Sequence, residues 1–459
     1  MEQLIFILGI FQKEFLGIPF IPQLLVFSVA ILIYRRIVDK VPLEPLDNVS
    51  IPQFTFFVMV IIGQVLAFWG LLSEGYSLST VIKKALIAVI FVTVIFLSYL
   101  VISNLMVDEC QVRNIVTGNF WALLILLGIC GIQIIFVFLP GNLGSLVDMI
   151  GHIEYHNPLN QGSFVLGSFT RSTLRVNGLY GESGFLAGII GACFVPFILG
   201  AIRNRVNVFF PQHRYYALAY YALLGAVLLV LLLAKTSTGI LAIAIVMVLL
   251  LFSQKTRKSS SLLLGGYLIL AGGFGIALMK IPALYDMFMQ FTVGKTNSDS
   301  TTMRLLATIA VLKTAVSHPL VGVGYGQTSH FNFLNAPSDV KKLEEYQRFL
   351  DAKDFPDQSA WGSVLAQFGL LLSILAVIYV IHLLIDLQKQ AHVISIKIPT
   401  DDGYDQTIAD SAIFFIALYG ILGILSIQWS FELFIMMFFF FAGYRQYLHR
   451  KITGLSKGM

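Results

Sequence analysis

Charge is what this sequence has least of. Only 12% of its 459 residues are Asp, Glu, Lys or Arg, while 57% are hydrophobic and the mean hydropathy is +0.83. Soluble domains carry about twice that share of charge, so a soluble globular fold is excluded. Cysteine is scarce as well. Cys110, Cys130 and Cys193 stand too far apart for a disulfide framework or a thiolate metal site, and the last two lie inside apolar runs. The opening M-E-Q-L-I-F has no basic stretch, so no cleaved signal peptide is expected. Tandem repeats, low-complexity tracts and a hydrophilic domain are all missing. The apolar runs hold almost no ionisable side chains, with His382 near one end of its run and Lys235 and Glu432 at the edges of theirs. Ion-coupled transporters and channels place charge at mid-membrane, and that class is disfavoured. A net charge of +5 reads as membrane orientation, and no nucleic-acid partner is expected.

What is present is length in apolar segments. A helix needs about 20 apolar residues to cross the hydrocarbon core. Runs near that length fall at 15–34, 52–72, 85–105, 115–138, 183–202, 215–234, 238–252, 262–280, 363–386, 411–428 and 432–443. The segment 1–10 adds an interfacial helix or half of a twelfth span. The expectation is an all-α polytopic membrane protein of about 11–12 transmembrane helices, a single membrane domain over 1–459. Basic residues give its orientation. Of the 30 lysines and arginines, 16 fall in one set of connections and 6 in the short connections opposite. The positive-inside rule makes the richer side, with the C-terminus, cytoplasmic. Two long loops, 139–182 and 281–362, then face outward. Loops of that length usually carry function.

The second loop contains the most organised stretch, S-T-T-M-R-L-L-A-T-I-A-V-L-K-T-A-V-S-H-P-L-V-G-V-G-Y-G at 300–326. Ser300 and Thr301 read as capping residues ahead of an apolar face at helical spacing. Arg304 lies in the first turn, and His318-Pro319 ends the helix. Gly322, Gly324 and Gly326 follow two apart, where the backbone turns tightly or approaches a ligand. The helix reads as one lying on, or dipping into, a membrane surface.

Arginine binds phosphate groups bidentately and keeps its charge. Arg171, Arg175, Arg304 and Arg348 are the outward arginines; they serve either a lipid diphosphate or as anchors among headgroups. Two carboxylates stand where a loop enters a span. Asp357 reads as a general base or a helix cap, and Glu182 as a substrate-orienting group or a first-turn carboxylate. His152 and His156 have a spacing that serves a metal on one helix face, but Asn157-Pro158 interrupts it. Phe355-Pro356 likewise separates Asp357 from Asp351 and Asp354, so no metal site is expected. His318, before proline, reads as a partner for local hydrogen bonds.

The string R-L-L-A-T-I-A-V-L-K-T-A-V-S-H-P-L-V-G-V-G-Y-G (304–326) resembles the core block of the O-antigen polymerase and ligase superfamily. R-V-N-G-L-Y-G-E-S-G-F-L-A (175–187) is similar to that family's approach to a span, and K-T-S-T-G-I-L-A (235–242) to its small-residue motif. The resemblance covers roughly 165–386. It implies a glycosyltransferase at the outer face of the bacterial inner membrane, using an undecaprenyl-diphosphate-linked oligosaccharide without metal, cofactor or nucleotide sugar. Membrane lipid, a flippase and a chain-length regulator are the implied partners. The implied diphosphate ligands are Arg175 and Arg304, joined by Arg171. The loop of His318, Gly322, Gly324 and Tyr325 lines the substrate. Ligases of the family carry a histidine-asparagine pair where this chain has Asp357-Gln358, which favours a repeat-unit polymerase. A ligase and a lipid-linked oligosaccharide flippase are the alternatives.

Overall fold

The computed structural model describes residues 3–10, 51–72, 75–139, 141, 143–153, 164–209, 216–254, 299–340, 355–398, 402–424 and 427–457, with isolated positions within 29–38, 261–280 and 343–353. The spans expected at 15–34 and 262–280 lie largely outside them, as do His156, Arg348, Asp351 and Asp354. The described residues form helices α1 (Leu4–Gly9), α2 (Ile51–Gly70), α3 (Leu78–Asn104), α4 (Glu109–Phe138), α5 (Gly144–Ile153), α6 (Phe169–Thr173), α7 (Ser183–Ile189) and α8 (Val195–Asn204). They continue with α9 (Tyr216–Leu233), α10 (Ser237–Phe252), α11 (Asp299–Ser317), α12 (Thr328–Leu334), α13 (Ala360–Lys397), α14 (Tyr404–Leu422) and α15 (Glu432–Lys457). The protein is an all-α polytopic membrane protein. Among the described residues six helical stretches are long and apolar enough to cross a membrane, and α9 and α10 are shorter apolar helices.

Helix boundaries differ from the apolar runs in a consistent way. Hydropathy finds the greasy centre of a helix, whereas the backbone continues to the nearest capping group. Thus α3 starts at Leu78 rather than 85 because the Ser77 hydroxyl accepts from the Thr80 amide at 3.3 Å. Helix α14 begins at Tyr404 rather than 411 and so takes in Asp405 and Asp410. Asp410 is buried but not alone: Arg203 Nε lies 3.0 Å and Asn204 Nδ2 2.9 Å from its carboxylate. Ser300 and Thr301 fall within α11, which opens at Asp299, so they belong to its first turn and do not precede it.

The chain divides into two units. One comprises Ile125–Arg304 with Asp402–Leu422. Its centre is the α7–α8 stretch, whose most apolar window is 89% buried. A π-helical turn at Ile190–Phe194 joins the two helices. Pro196, two residues on, lacks the amide that an unbroken α-ladder would need there, which accounts for the widened turn. At Gly200 a side chain would meet the Thr407 carbonyl at 2.8 Å, so glycine lets α8 and α14 pack closely.

The other unit comprises Met1–Leu124, Leu305–Asp401 and Gly423–Met459. Here α2, α3, α13 and α15 pack together. The Tyr99 hydroxyl accepts from Gln53 Nε2 at 3.0 Å and Gln446 Nε2 at 2.6 Å, tying α2, α3 and α15 in an otherwise apolar interior. At one end Arg450 reaches the Met106 carbonyl at 2.7 Å, Lys451 meets Glu109 at 3.3 Å and Arg445 meets Asp386 at 3.3 Å. Segments that the charge count assigns to one side therefore do share one end of this unit.

Helix α13 is broken at Gly369, where φ is 74° and ψ 173°. The break would orphan backbone groups, and the glycine turn takes them up. Val323 N donates to Ala366 O at 2.7 Å, Gly324 N to Gln367 O at 3.2 Å, and Leu370 N to Pro319 O at 2.7 Å. Irregular backbone inside a membrane protein persists only where protein satisfies it in this way.

Candidate active site

Arg304, Glu182 and Arg175 come together in the unit centred on α7 and α8. The loop carrying Arg175 and Glu182 is shaped by Gln133, a fully buried carboxamide on α4. Gln133 Oε1 accepts from Asn177 N at 3.1 Å and Gly178 N at 2.8 Å, while its Nε2 donates to Asn177 Oδ1 at 3.0 Å and Gly178 O at 2.9 Å. Gly178 has φ 62°, and a side chain there would meet Leu126 and Leu186 at 2.9 Å. One glutamine thus fixes a turn that glycine alone fits.

Beyond that turn, residues 174–176 run beside 233–235. Arg175 Nε donates to Ala234 O at 3.2 Å, and Lys235 Nζ donates back to Leu174 O at 3.2 Å. Arg304 Nη1 donates to Thr238 Oγ1 at 3.2 Å, and its Nη2 lies 4.0 Å from Glu182 Oε2. Among the described residues, three cations therefore share a half-buried place with the Glu182 carboxylate. Burial weakens the hold of Arg175 on its proton, Glu182 opposes that, and Arg304 adds to it. Lys235 is lowered by burial first and by Arg175 second. Both shifts mark positive charge that is partly desolvated, a condition in which an anion is bound more strongly than in open water.

The structure shows the local setting of both carboxylates. Glu182 occupies the N-cap position of α7, yet its side chain makes no capping hydrogen bond and stands instead toward Arg304. The cap of α13 is Ser359, whose Oγ accepts from Gly362 N at 3.1 Å, so Asp357 is not that cap. Arg171 forms an ion pair with Asp148 of α5.

Asp357 and the glycine turn belong to the other unit. Tyr325 N donates to Gln64 Oε1 at 2.7 Å, and Gln64 Nε2 reaches Gln367 O at 3.2 Å, so α2 pins the turn to the broken part of α13. Gly322, Gly324 and Gly326 all have positive φ. At Gly324 a side chain would strike the Phe68 ring at 2.9 Å. His318 Nδ1 lies 3.0 Å from Ser317 Oγ and 3.3 Å from Thr314 O, the local role its sequence context suggests. Among the described residues no three His, Cys, Asp or Glu side chains group as metal ligands.

Residues 220–377 match the family model described as O-antigen ligase, Wzy_C. No curated protein and no solved structure matches the chain. The match supports the O-antigen polymerase and ligase superfamily. Within it fall Lys235, Thr238, Arg304, the glycine turn and Asp357, whereas Arg175 and Glu182 precede the matched segment. Within one unit, Arg304 meets Glu182 and Lys235 lies by Arg175, so residues inside and outside the matched segment share one place. Lys235, Thr238 and Gln133 were not among the sequence candidates for the site. The first two lie in the K-T-S-T-G stretch that resembles the superfamily's small-residue motif, but a glutamine inside an apolar run carried no signal beyond its polarity.

Proposed function

We propose that the protein is a polysaccharide polymerase of the inner membrane. It transfers an undecaprenyl-diphosphate-linked glycan onto a lipid-linked repeat unit at the outer face. The observation that carries this reading is Arg304 held with Arg175 and Lys235 beside the Glu182 carboxylate. In the reaction an acceptor hydroxyl attacks the anomeric carbon of the donor and the bond to the diphosphate oxygen breaks. The diphosphate leaves with the electron pair, and a carboxylate takes the hydroxyl proton. The leaving group is already activated, so catalysis rests on positioning and on meeting the developing charge. Arg175, Arg304 and Lys235 meet it, and Glu182 is their counter-ion before donor arrives. Asp357 is the proposed base.

Purified protein in lipid nanodiscs, given only the undecaprenyl-diphosphate repeat unit, is expected to build a ladder of lengthening products. The same assay in EDTA is expected to give the same ladder. The family description favours one second reading, a ligase. Product formed only after a lipid A core or protein acceptor is added would establish it and overturn the polymerase.

A further inference from the structure

The loop expected at 139–182 holds a helix that the diphosphate chemistry does not use. Helix α5 runs Gly144–Ile153 and carries three kinds of residue on three faces. Val147, Ile150 and Gly151 are buried. A side chain at Gly151 would strike the Gly167 carbonyl and Ser168, so this face is pressed onto the approach to α6. Ser145, Asp148 and His152 form a polar face, with Ser145 and His152 exposed and Asp148 paired to Arg171 of α6. Leu146, Met149 and Ile153 form the third face, and they are 37%, 55% and 41% exposed. The polar set and the exposed apolar set share the spacing i, i+3, i+7, offset by one residue. Each is therefore a separate stripe along the whole helix.

The start of α5 fixes where the exposed stripe lies. Helix α4 is long and apolar enough to cross a membrane, and its last turns turn Ile135 and Phe138 outward. Only residues 139–143 separate it from α5. The Phe136 ring, near the end of α4, stands 3.8 Å from where a side chain on Gly144 would begin. The helix thus opens against the end of a span, where the lipid-facing surface of α4 meets the membrane boundary. A helix with polar and apolar stripes along its full length is stable along such a boundary, its axis in the membrane plane. We infer that α5 is an interfacial membrane helix, with Leu146, Met149 and Ile153 seated in the acyl margin of the bilayer and Ser145 and His152 at headgroup level. It carries no lysine or arginine, and Arg171 meets the Asp148 charge. The contact is therefore with the acyl phase, and headgroup charge does not select it. The Arg175 guanidinium lies 5.8 Å from the Phe169 ring of α6, so this membrane contact stands one helix away from the cationic group.

The test is depth. Full-length protein carrying Cys110→Ser takes one new cysteine at a time, Met149→Cys, Ile153→Cys, Ser145→Cys or His152→Cys; Cys130 and Cys193 are fully buried. Each is labelled with an environment-sensitive dye in phosphatidylcholine nanodiscs. At 149 and 153, lipid bearing a shallow doxyl group is expected to lower emission about twofold or more and iodide to do little. At 145 and 152 the order is expected to reverse. Adding phosphatidylglycerol or raising the salt should leave these results unchanged. Equal iodide quenching on both faces would put the stripe in water and overturn the inference. Protection of 149 and 153 from both quenchers also overturns it, because a second copy or another protein would then cover the stripe. Quenching by lipid that appears only with phosphatidylglycerol overturns it as well. Met149→Trp repeats the measurement without a dye, and its emission is expected to fall in brominated lipid; an unchanged emission counts against the inference. The readout needs no glycan transfer. Lipid contact in a protein that never lengthens a chain would sink the polymerase and leave the interfacial helix standing.

Discussion

Two regions of this protein hold polar chemistry at the margins of apolar helices, and they do it by opposite means. Around Arg304, among the described residues, three cations lie with the Glu182 carboxylate and are kept in place by hydrogen bonds to the Ala234 and Leu174 carbonyls and to Thr238. Around Tyr325, aromatic rings pack together with Glu432 and Asp357 near enough to act on its phenol, and the place is kept by backbone bonds between a glycine turn and a broken helix. The first concentrates charge, and the second concentrates aromatic surface.

The sharpest way to break the comparison is at the carboxylates, one in each region. Asp357→Asn is expected to lower transfer by about 10²–10⁴, the usual cost of a missing general base. Thermal unfolding should be unchanged, since Ser359 caps α13. A wild-type ladder from Asp357→Asn together with none from Glu182→Gln would move the base to the cationic region. Next comes Arg304→Lys, which keeps charge and loses the planar fork. A drop of about 10²–10³ is expected, the size of losing one transition-state donor. Arg171→Lys should stay near wild type in the same ladder, because its pair with Asp148 is largely exposed.

Smaller effects test how each region is held. Gln133→Leu leaves the Asn177 and Gly178 amides without their acceptor, at about 1–3 kcal/mol per group. Thermal unfolding should register it, and donor affinity should fall. Gly324→Ala is the counterpart. Its φ is 89° and the new methyl meets Phe68, so a loss of about 1–3 kcal/mol is expected, read in thermal unfolding. The smallest effect belongs to pH. Lys235 is lowered from the ordinary lysine range, so its charged form costs stability below the folded value, and that cost disappears as pH rises through it. Donor binding runs the other way, weakening over the same window as the cation is lost. Lys235→Arg should move that weakening to higher pH in a titration of donor affinity.

Much of this was legible in the chain. Apolar runs of bilayer length specified a helical membrane protein because nothing else satisfies a backbone in lipid. The motifs at 175–187, 235–242 and 304–326 marked Arg175, Glu182, Arg304 and the glycine turn as candidates, and the fold brings Arg175, Glu182 and Arg304 together. Local sequence could also place serine and threonine caps.

Partnership was beyond its reach. Whether Asp357 caps a helix and whether Arg171 joins Arg304 depend on which segments meet, and hydrophobic periodicity says nothing of that. The glycine turn is set by a break in α13 that lies more than 40 residues away in sequence, and its backbone groups are satisfied only once the two are docked. The aromatic group around Trp429 draws Phe91, Tyr325 and Phe368 from three other segments. In sequence each ring is an ordinary apolar residue. Only tertiary packing brought them together, because side-chain convergence is decided by the fold's long-range contacts and not by neighbours along the chain.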